Sequence, residues 1–212
     1  MRVSLEAALP ALPLFPLPQV VLFPRALLPL HVFEPRYQKM LADCMETHGA
    51  LAVVLITSSL NENVKIASIA GAGIVLEHQP MPGGRSNIIV SGQARVRLEE
   101  LPFEPPYRRA KATILEDVPT SVAPADLTAL AHAATSFVSE VKKRDPSFGF
   151  HWPPNLAPGA LADLCTHHLV IDIEVRQKVL EELDVRNRVQ LVTRELASQN
   201  AALSGPRNKT LN

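Results

Sequence analysis

Four side chains with metal-binding or catalytic chemistry lie close together in the sequence: Asp163, Cys165, His167 and His168. The surrounding pattern predicts a helix, on which only residues three or four positions apart share a face. Asp163 and His167 meet that spacing, but zinc takes three or four protein ligands in its usual sites. The pattern therefore favours a helix with one histidine at the edge of the core and one in water, and no metal site is predicted.

Motifs for nucleotide binding and covalent catalysis are absent from the sequence. Neither the Gly-x-x-x-x-Gly-Lys-Ser/Thr phosphate loop nor the Gly-x-Ser-x-Gly nucleophile motif occurs. Gly71 and Gly73 lack the third glycine of a dinucleotide-binding turn, so they indicate a bulge or a close approach of two backbones. Cys44 lies on the apolar stripe of a predicted helix, as a small core residue does. We therefore predict a protein that is not an enzyme and uses no cofactor.

Arg95, Arg97 and Arg109 form a candidate basic strip, because they fall on neighbouring predicted strands. RNA recognition on a sheet also needs exposed aromatic rings for base stacking, and only Tyr107 is near. The chain has 21 Lys and Arg residues and 21 Asp and Glu residues, so no overall charge attracts it to nucleic acid or to an anionic membrane. Nucleic-acid or small-molecule binding is therefore the alternative function, not the leading one.

The elements that must position these residues begin with a Pro-rich first half. Prolines at positions 13, 16, 18, 24 and 29 suit strand ends and sheet edges. Between Tyr37 and Met45 the apolar residues recur every three or four positions, which predicts a short helix. Gly49 is the expected end of that helix. The first half is thus predicted to be a sheet with one inserted helix.

Further strands are predicted between positions 51 and 115. The continuous apolar run LAVVLI at 51–56 is typical of a fully buried strand, and the loop PMPGGRS at 80–86 is typical of a hairpin. In the stretch 94–98, apolar and basic residues alternate. Alternation along a strand places Arg95 and Arg97 on a solvated face.

The second half has helical periodicity. A stripe of apolar residues from Leu127 to Val141 predicts a long helix, and Asp172 and Asp184 are the expected caps of two later helices. A Pro-rich connector at 145–159 carries the aromatic residues Phe148, Phe150 and Trp152. Strands followed by helices predict an α+β protein, with a β subdomain at 10–118 and a helical subdomain at 122–203 that together make one domain.

The cysteine content and the hydropathy of the chain predict its compartment. Cys44 and Cys165 are the two cysteines and belong to no Cys-x-x-Cys pair, so no disulfide framework is expected. The first ten residues lack the apolar core of a secretory signal, and no later run reaches the roughly 18 apolar residues that a membrane span needs. We expect a cytoplasmic protein without membrane partners.

The segment from Pro13 to Tyr37, PLFPLPQVVLFPRALLPLHVFEPRY, closely resembles the opening motif of the amino-terminal substrate-binding domains of Lon proteases. Similar blocks follow in the same order: AVVLI at 52–56, SGQARVRL at 91–98, PYRRAKATILED at 106–117 and the helical stretch at 161–196. The resemblance covers nearly the whole chain. Arg25 departs from it, because the family usually has glycine at that position.

The resemblance implies a PUA-like β pseudo-barrel with one inserted helix, followed by a carboxyl-terminal helical bundle. It also implies binding of protein or peptide clients with no need for ATP, and it favours a role as an adaptor. The ATPase and peptidase modules of Lon proteases have no counterpart before Asn212, so peptidase activity is not implied. The oligomeric state is not determined by the sequence.

Phe148, Phe150 and Trp152 are the candidate anchors for a client peptide, since exposed aromatic rings contribute strongly to binding. The simpler hypothesis is that these rings hold the connector against the helices. Glu34 and Arg36 are interpreted as structural, through capping and ion pairing at the start of the first helix. A hydrolase with a cleft between subdomains is the least favoured alternative, because it would need a cluster of perturbed titratable groups.

Overall fold

The computed structural model describes residues 4–60 and 63–204 of the chain. The chain divides into two compact units, Met1–Glu116 and Asp117–Asn212. We call them the barrel unit and the helical unit. The predicted α+β class, with a barrel that carries one inserted helix and is followed by helices, is confirmed.

The barrel unit contains seven strands and two α-helices within the described residues. Its strands are β1 Leu12–Leu17, β2 Leu27–Val32, β3 Ala50–Leu60, β4 Asn63–Ile66, β5 Ile69–Pro80, β6 Ser86–Glu100 and β7 Arg109–Leu115. Its helices are α1 Leu5–Ala8 and α2 Pro35–Glu46, and short 3₁₀ turns occupy Leu9–Ala11 and Pro82–Gly84.

Five of the strands close into a barrel in the order β1-β7-β6-β5-β3. Parallel pairing of β1 with β3, from Leu14 opposite Ala52 to Leu17 opposite Leu55, closes the ring. The two remaining strands extend it: β2 pairs with β6, and β4 pairs with β3. Closure leaves the five barrel strands without a free edge along their paired residues.

Strand β3 is buried on both faces, as the continuous apolar run predicted. Ala50, Ala52 and Val54 face the barrel interior, which is filled mainly by small side chains. Leu51 and Val53 face the opposite way, into a second core that contains one side of α2. Successive side chains of a strand point to opposite faces, so one strand contributes to both cores.

Helix α2 closes the second core with the predicted apolar stripe. Tyr37, Met40, Leu41 and Cys44 are buried, whereas Met45 at the end of the stripe is exposed. The helix ends at Glu46. Gly49 then has φ +66° and donates its N–H to the carbonyl of Cys44, so glycine fits this left-handed position after the helix.

The glycines of β5 and β6 make room for a crossing segment. A Cβ at Gly71 would lie 1.9 Å from the carbonyl oxygen of Leu22, and one at Gly92 would lie 2.0 Å from that of Phe23. The buried residues Val21, Leu22 and Phe23, which form no strand, therefore pass directly over these strands. The predicted close approach at Gly71 is confirmed.

This crossing segment also corrects one prediction. Arg95 is opposite Gly71 in the ladder, and paired residues of neighbouring strands point to the same face. Arg95 therefore lies on the face that the crossing segment covers, and it is only 4% exposed. The prediction that Arg95 is solvated is wrong, whereas Arg97 is exposed.

Arg25, at the position where the resemblance implies glycine, adopts φ +67°. Its N–H donates to the carbonyl of Gly92, and the N–H of Gly92 donates to the carbonyl of Ala26. The turn therefore keeps a left-handed conformation that suits glycine, and the arginine is held in it by these two bonds. A left-handed conformation costs a non-glycine residue roughly 1–2 kcal/mol.

The helical unit consists of α3 Pro124–Lys142, α4 Pro158–Leu169, α5 Ile173–Glu181 and α6 Val185–Ser204. Leu130 and Phe137 of α3 and Val189, Val192 and Leu196 of α6 are buried in its core. None of the helices in the described ranges is long and apolar enough to cross a membrane.

Both predicted caps are present in the helical unit. The carboxylate of Asp172 accepts the backbone N–H groups of Glu174 at 2.8 Å and Val175 at 3.2 Å. The carboxylate of Asp184 accepts the N–H of Asn187 at 2.9 Å and the hydroxyl of Thr120 at 3.0 Å. These bonds lower the pKa of Asp184, with the Asn187 contact as the largest cause.

A buried arginine joins three parts of the helical unit. Arg188 has no exposed side-chain surface and forms a two-point ion pair with Asp117. Its Nε donates to the carbonyl of Glu182 at 2.9 Å, and its Nη1 lies 3.6 Å from the carboxylate of Asp163. Burial of a cation requires such partners, because an unpaired charge is costly inside a protein.

Candidate functional site

A cavity of about 470 Å³ opens where β1, β3 and β6 end, at one mouth of the barrel. We call it the mouth cavity. Its walls come from the end of β1, the start of α2, the adjoining ends of β3 and β4, and the loop between β6 and β7. The lining residues are Pro16, Leu17, Pro18, Glu34, Arg36, Tyr37, Ile56, Val64, Glu100, Leu101, Phe103, Pro106, Tyr107 and Arg108.

Three aromatic residues, Tyr37, Phe103 and Tyr107, line the mouth cavity. Tyr37 is buried, with its ring centroid 4.5 Å from that of Phe15. Phe103 is 64% exposed, although it is one of the largest apolar side chains. An exposed ring beside an apolar cavity is an arrangement that binds an apolar ligand, because burial removes apolar surface from water.

The loop that carries Phe103 is attached at its base. The N–H of Leu101 donates to the carbonyl of Arg109 at 3.0 Å, and the side chain of Arg109 pairs with Glu104. The peptide bond between Pro105 and Pro106 is cis. Prolines restrict the backbone of the loop, so Phe103 is presented to solvent by a chain with few conformations.

The charged groups at the mouth cavity neutralise one another. Arg36 contacts Glu34 through Nη2 at 2.7 Å and Nε at 2.9 Å. Arg108 contacts Glu100 through Nη2 at 2.5 Å and Nε at 2.8 Å, and its Nη1 donates to the carbonyl of Val64 at 2.9 Å. The cavity therefore has an apolar surface with a rim of paired charges.

The two tyrosines of the mouth cavity differ in their hydroxyl groups. Tyr107 donates its hydroxyl to the carboxylate of Asp43 at 2.8 Å. Burial, followed by this bond and the charge of Asp43, raises the pKa of Tyr107 to about 12. Burial also raises the pKa of Tyr37. Both phenols are neutral at physiological pH, so the site offers rings and hydroxyls rather than a catalytic phenolate.

The four residues of α4 that could bind a metal ion have different surroundings in the structure. Asp163 faces Arg188, Cys165 is buried, His167 is half-buried and His168 is exposed. In residues 4–60 and 63–204, no three His, Cys, Asp or Glu side chains are grouped to hold a metal ion. The prediction of one histidine at the core edge and one in water is confirmed.

The connector aromatics Phe148, Phe150 and Trp152 lie in the helical unit, and all three are half-buried. The ring centroids of Phe150 and Trp152 are 5.6 Å apart, and Phe150 lies 5.8 Å from the ring of His168 on α4. These contacts attach the connector to α4. The rings still retain part of their surface for a ligand.

The candidate basic strip is only partly exposed. Arg95 is buried, Arg97 is exposed and Arg109 is half-buried in its ion pair with Glu104. In the ladder Arg97 is opposite Thr113, four positions along β7 from Arg109. The structure therefore does not bring the three guanidinium groups together in solvent.

Sequence reasoning missed most of the mouth cavity. The sequence pattern indicates capping for Glu34 and Arg36 and a position on the apolar stripe of α2 for Tyr37. The Phe103 segment, PFEPPY, received no role, although an aromatic residue flanked by prolines is a usable signal for an exposed ring. The convergence of Tyr37, Phe103 and Tyr107 depends on barrel closure, which no local pattern reports.

Comparisons with known proteins match most of the chain. A family model described as the ATP-dependent protease La (LON) substrate-binding domain matches residues 11–198. The Lon protease of Roseiflexus castenholzii is 29% identical over 203 residues, which cover 91% of this chain and 25% of that protein. Lon protease 2 of Myxococcus xanthus is 30% identical over 193 residues, which cover 85% of this chain and 23% of that protein. The chain thus spans about a quarter of the length of these relatives.

Two solved structures share the fold. A Lon N-terminal domain protein from Xanthomonas campestris has a TM-score of 0.62 and 22% identity, covering 85% of this chain and 95% of that chain. The N-terminal domain of the Mycobacterium avium complex Lon protease has a TM-score of 0.65 and 13% identity, covering 88% of this chain and 98% of that chain.

Proposed function

The chain belongs to the Lon substrate-binding domain family, and on that basis we propose that it recognises unfolded polypeptide segments of client proteins at the mouth cavity. The observation that carries the proposal is an exposed Phe103 beside an apolar cavity of about 470 Å³. A cavity of that volume accommodates side chains of an extended segment, and most ligand pockets begin at roughly 300 Å³.

The charges of the rim support a polypeptide ligand over a nucleic acid. Arg36 and Arg108 each face a carboxylate, so neither guanidinium is available as an isolated cation for phosphate. Binding through apolar contacts is expected to change little with salt, whereas binding to phosphates weakens steeply. Salt dependence therefore separates the two classes of ligand.

The proposed role is recognition without peptide cleavage. The family model that matches is a substrate-binding domain, and the curated relatives are matched over about a quarter of their length. We propose that the chain acts as an adaptor that presents bound clients to another factor, that binding needs no ATP, and that it takes place in the cytoplasm. Cys44 and Cys165 carry free, buried thiols, which is compatible with that compartment.

The experiment compares one client protein in two states. Reduced, carbamidomethylated α-lactalbumin serves as a permanently unfolded chain, and native α-lactalbumin is the control with the same sequence. Fluorescence anisotropy without nucleotide is expected to show binding of the unfolded form alone, with affinity that changes less than about threefold between low and high salt. Equal binding of both forms, or none, contradicts the proposal.

Phe103→Ser tests the location of the site. Loss of the ring is expected to weaken binding of the unfolded client about tenfold or more, because aromatic anchors dominate such surfaces. Phe33→Ser is the matched control, since Phe33 is 59% exposed and lies outside the cavity lining. Similar losses in both variants would remove the mouth cavity from the proposal.

The connector aromatics Phe148, Phe150 and Trp152 are proposed as a second contact for clients. Their support is weaker, because Phe150 already packs against Trp152 and His168. Trp152→Ala is expected to change client affinity less than about threefold, well below the loss for an anchor. A loss as large as that of Phe103→Ser would make the connector a principal site.

A further inference from the structure

Tyr37 is a largely buried side chain whose hydroxyl has no hydrogen-bond partner among the residues that the structure describes. The residue is 6% exposed, and it lines the mouth cavity. Its backbone N–H donates to the carbonyl of Glu34. Within residues 4–60 and 63–204, its hydroxyl takes part in no hydrogen bond, in contrast to the hydroxyl of Tyr107, which is bonded to Asp43.

Tyr37 lines the mouth cavity, so its hydroxyl is expected at the cavity surface. The charges that act on the phenol are those of Arg36, Glu34 and Arg108, all of which line the mouth cavity. The guanidinium of Arg36 lies 4.6 Å from the centre of the ring. On the other side, the ring of Tyr37 packs against Phe15 in the second core, with the two ring centroids 4.5 Å apart.

A phenol in this position can recognise a ligand by one hydrogen bond. A ligand that covers the mouth cavity removes the hydroxyl from water, and a polar group that loses water needs a new partner, so a ligand that supplies an acceptor is favoured over one that does not. The acceptor needs no charge, because Glu34 and Glu100 already neutralise the two guanidinium groups. A main-chain carbonyl is the neutral acceptor that every polypeptide carries.

We propose that the hydroxyl of Tyr37 donates a hydrogen bond to a main-chain carbonyl oxygen of the segment bound in the mouth cavity. The inference rests on the proposed function and deepens it. Apolar side chains of the client occupy the ring-lined surface, while Tyr37 holds its backbone. Contact with the backbone makes recognition independent of a particular client side chain at that point.

The test is Tyr37→Phe, which keeps the ring and removes the hydroxyl. Affinity for reduced, carbamidomethylated α-lactalbumin is expected to fall about fivefold, the worth of one uncharged hydrogen bond. The unfolding midpoint is expected to stay unchanged, because none of the described residues bonds to the hydroxyl that is removed. Tyr107→Phe provides the contrast, since it removes the bond to Asp43 and is expected to lower the midpoint. Unchanged affinity for Tyr37→Phe overturns the inference, and so does a midpoint that falls as far as that of Tyr107→Phe.

Two further measurements separate the possible failures. If the unmodified chain binds the unfolded client and Phe103→Ser weakens it, but Tyr37→Phe does not, only the hydrogen bond is wrong. If the unmodified chain binds no unfolded client, the proposed function itself fails.

A second measurement compares an apolar octapeptide with blocked ends and the same peptide with a free carboxylate. Tyr37→Phe should weaken the binding of both peptides equally. A loss confined to the free carboxylate overturns the inference in favour of a terminal carboxylate contact.

Discussion

The mouth cavity and the connector each present three aromatic residues, but they hold them in different ways. Tyr37, Phe103 and Tyr107 come from two separate segments, and Phe103 remains 64% exposed. Phe150 and Trp152 come from one short stretch, contact each other at 5.6 Å and are half-buried. Rings that are close together in the sequence pack against each other, whereas rings that closure of the barrel brings together line a cavity.

The interiors that support the two regions differ as well. The barrel below the mouth cavity is filled by small apolar residues, and a crossing segment packs on its outer face over Gly71 and Gly92. The helical unit that carries the connector contains the buried cation Arg188 among carboxylates. The barrel unit depends on close backbone contact, and the helical unit depends on charge pairing. Each dependence gives a prediction.

The largest expected effect is that of Arg188→Met in the helical unit. Removing the cation leaves Asp163 buried without it, and loss of one partner of a buried pair costs roughly 3–5 kcal/mol in the free energy of unfolding. Denaturant unfolding followed by the fluorescence of Trp152, the only tryptophan, measures this unit. Adding Asp163→Asn to the variant should recover part of the loss. An Arg188→Met variant as stable as the unmodified chain would show that the ion pairs contribute nothing.

A smaller loss is expected for Gly71→Ala in the barrel unit. The added Cβ would meet the carbonyl oxygen of Leu22 at 1.9 Å, so the crossing segment must move, at about 2–3 kcal/mol. Hydrogen exchange of peptides from β3 and β5 measures the barrel separately. Gly149→Ala is the control, because nothing lies within 4 Å of its Cβ position. Equal exchange in the two variants would mean that the close approach is not rigid.

The helical unit is expected to lose stability in acid through His167 on α4. Burial, followed by the charges of His168 and Arg176, lowers the pKa of His167 from its usual value to about 4. Between the unfolded value near 6.5 and pH 4, the unfolded state binds more protons, so the free energy of unfolding falls as the pH falls. After allowance for solvent screening, the loss is about 1–2 kcal/mol. Denaturant unfolding followed by the fluorescence of Trp152 at pH 7 and at pH 5 measures this loss. His167→Gln should reduce the difference between the two pH values. An unchanged pH dependence in that variant would assign the loss to another group.

The smallest expected effect is a gain in the barrel unit from Arg25→Gly. Arg25 adopts φ +67°, so glycine relieves strain but adds freedom to the unfolded chain. The net gain is expected to be about 0.5–1 kcal/mol in the free energy of unfolding. Chemical denaturation followed by circular dichroism measures it. A loss of stability would mean that the arginine side chain makes a contribution larger than the backbone strain.

Local sequence patterns predicted helices and strands correctly where a single interaction, apolar burial or helix capping, determines them. The stripe of α2, the two-faced burial of β3 and the caps at Asp172 and Asp184 all follow from periodicity or from a carboxylate at a helix start. The exposure of Arg95 was predicted wrongly, because alternation along a strand does not show that another segment covers the face.

The sequence by itself determined the α+β class, the family and the position of the helices, because these depend on spacing along the chain. Only the tertiary structure decided where a ligand can bind. The mouth cavity unites Tyr37 with Phe103 across more than sixty residues of sequence, and pairing of β1 with β3 closes the barrel at whose mouth it lies. Pairing between distant strands is a property of the closed sheet and leaves no local pattern in the sequence. Glu34, Arg36 and Tyr37 look like the start of a helix in the sequence, and only the closed barrel makes them part of the cavity lining.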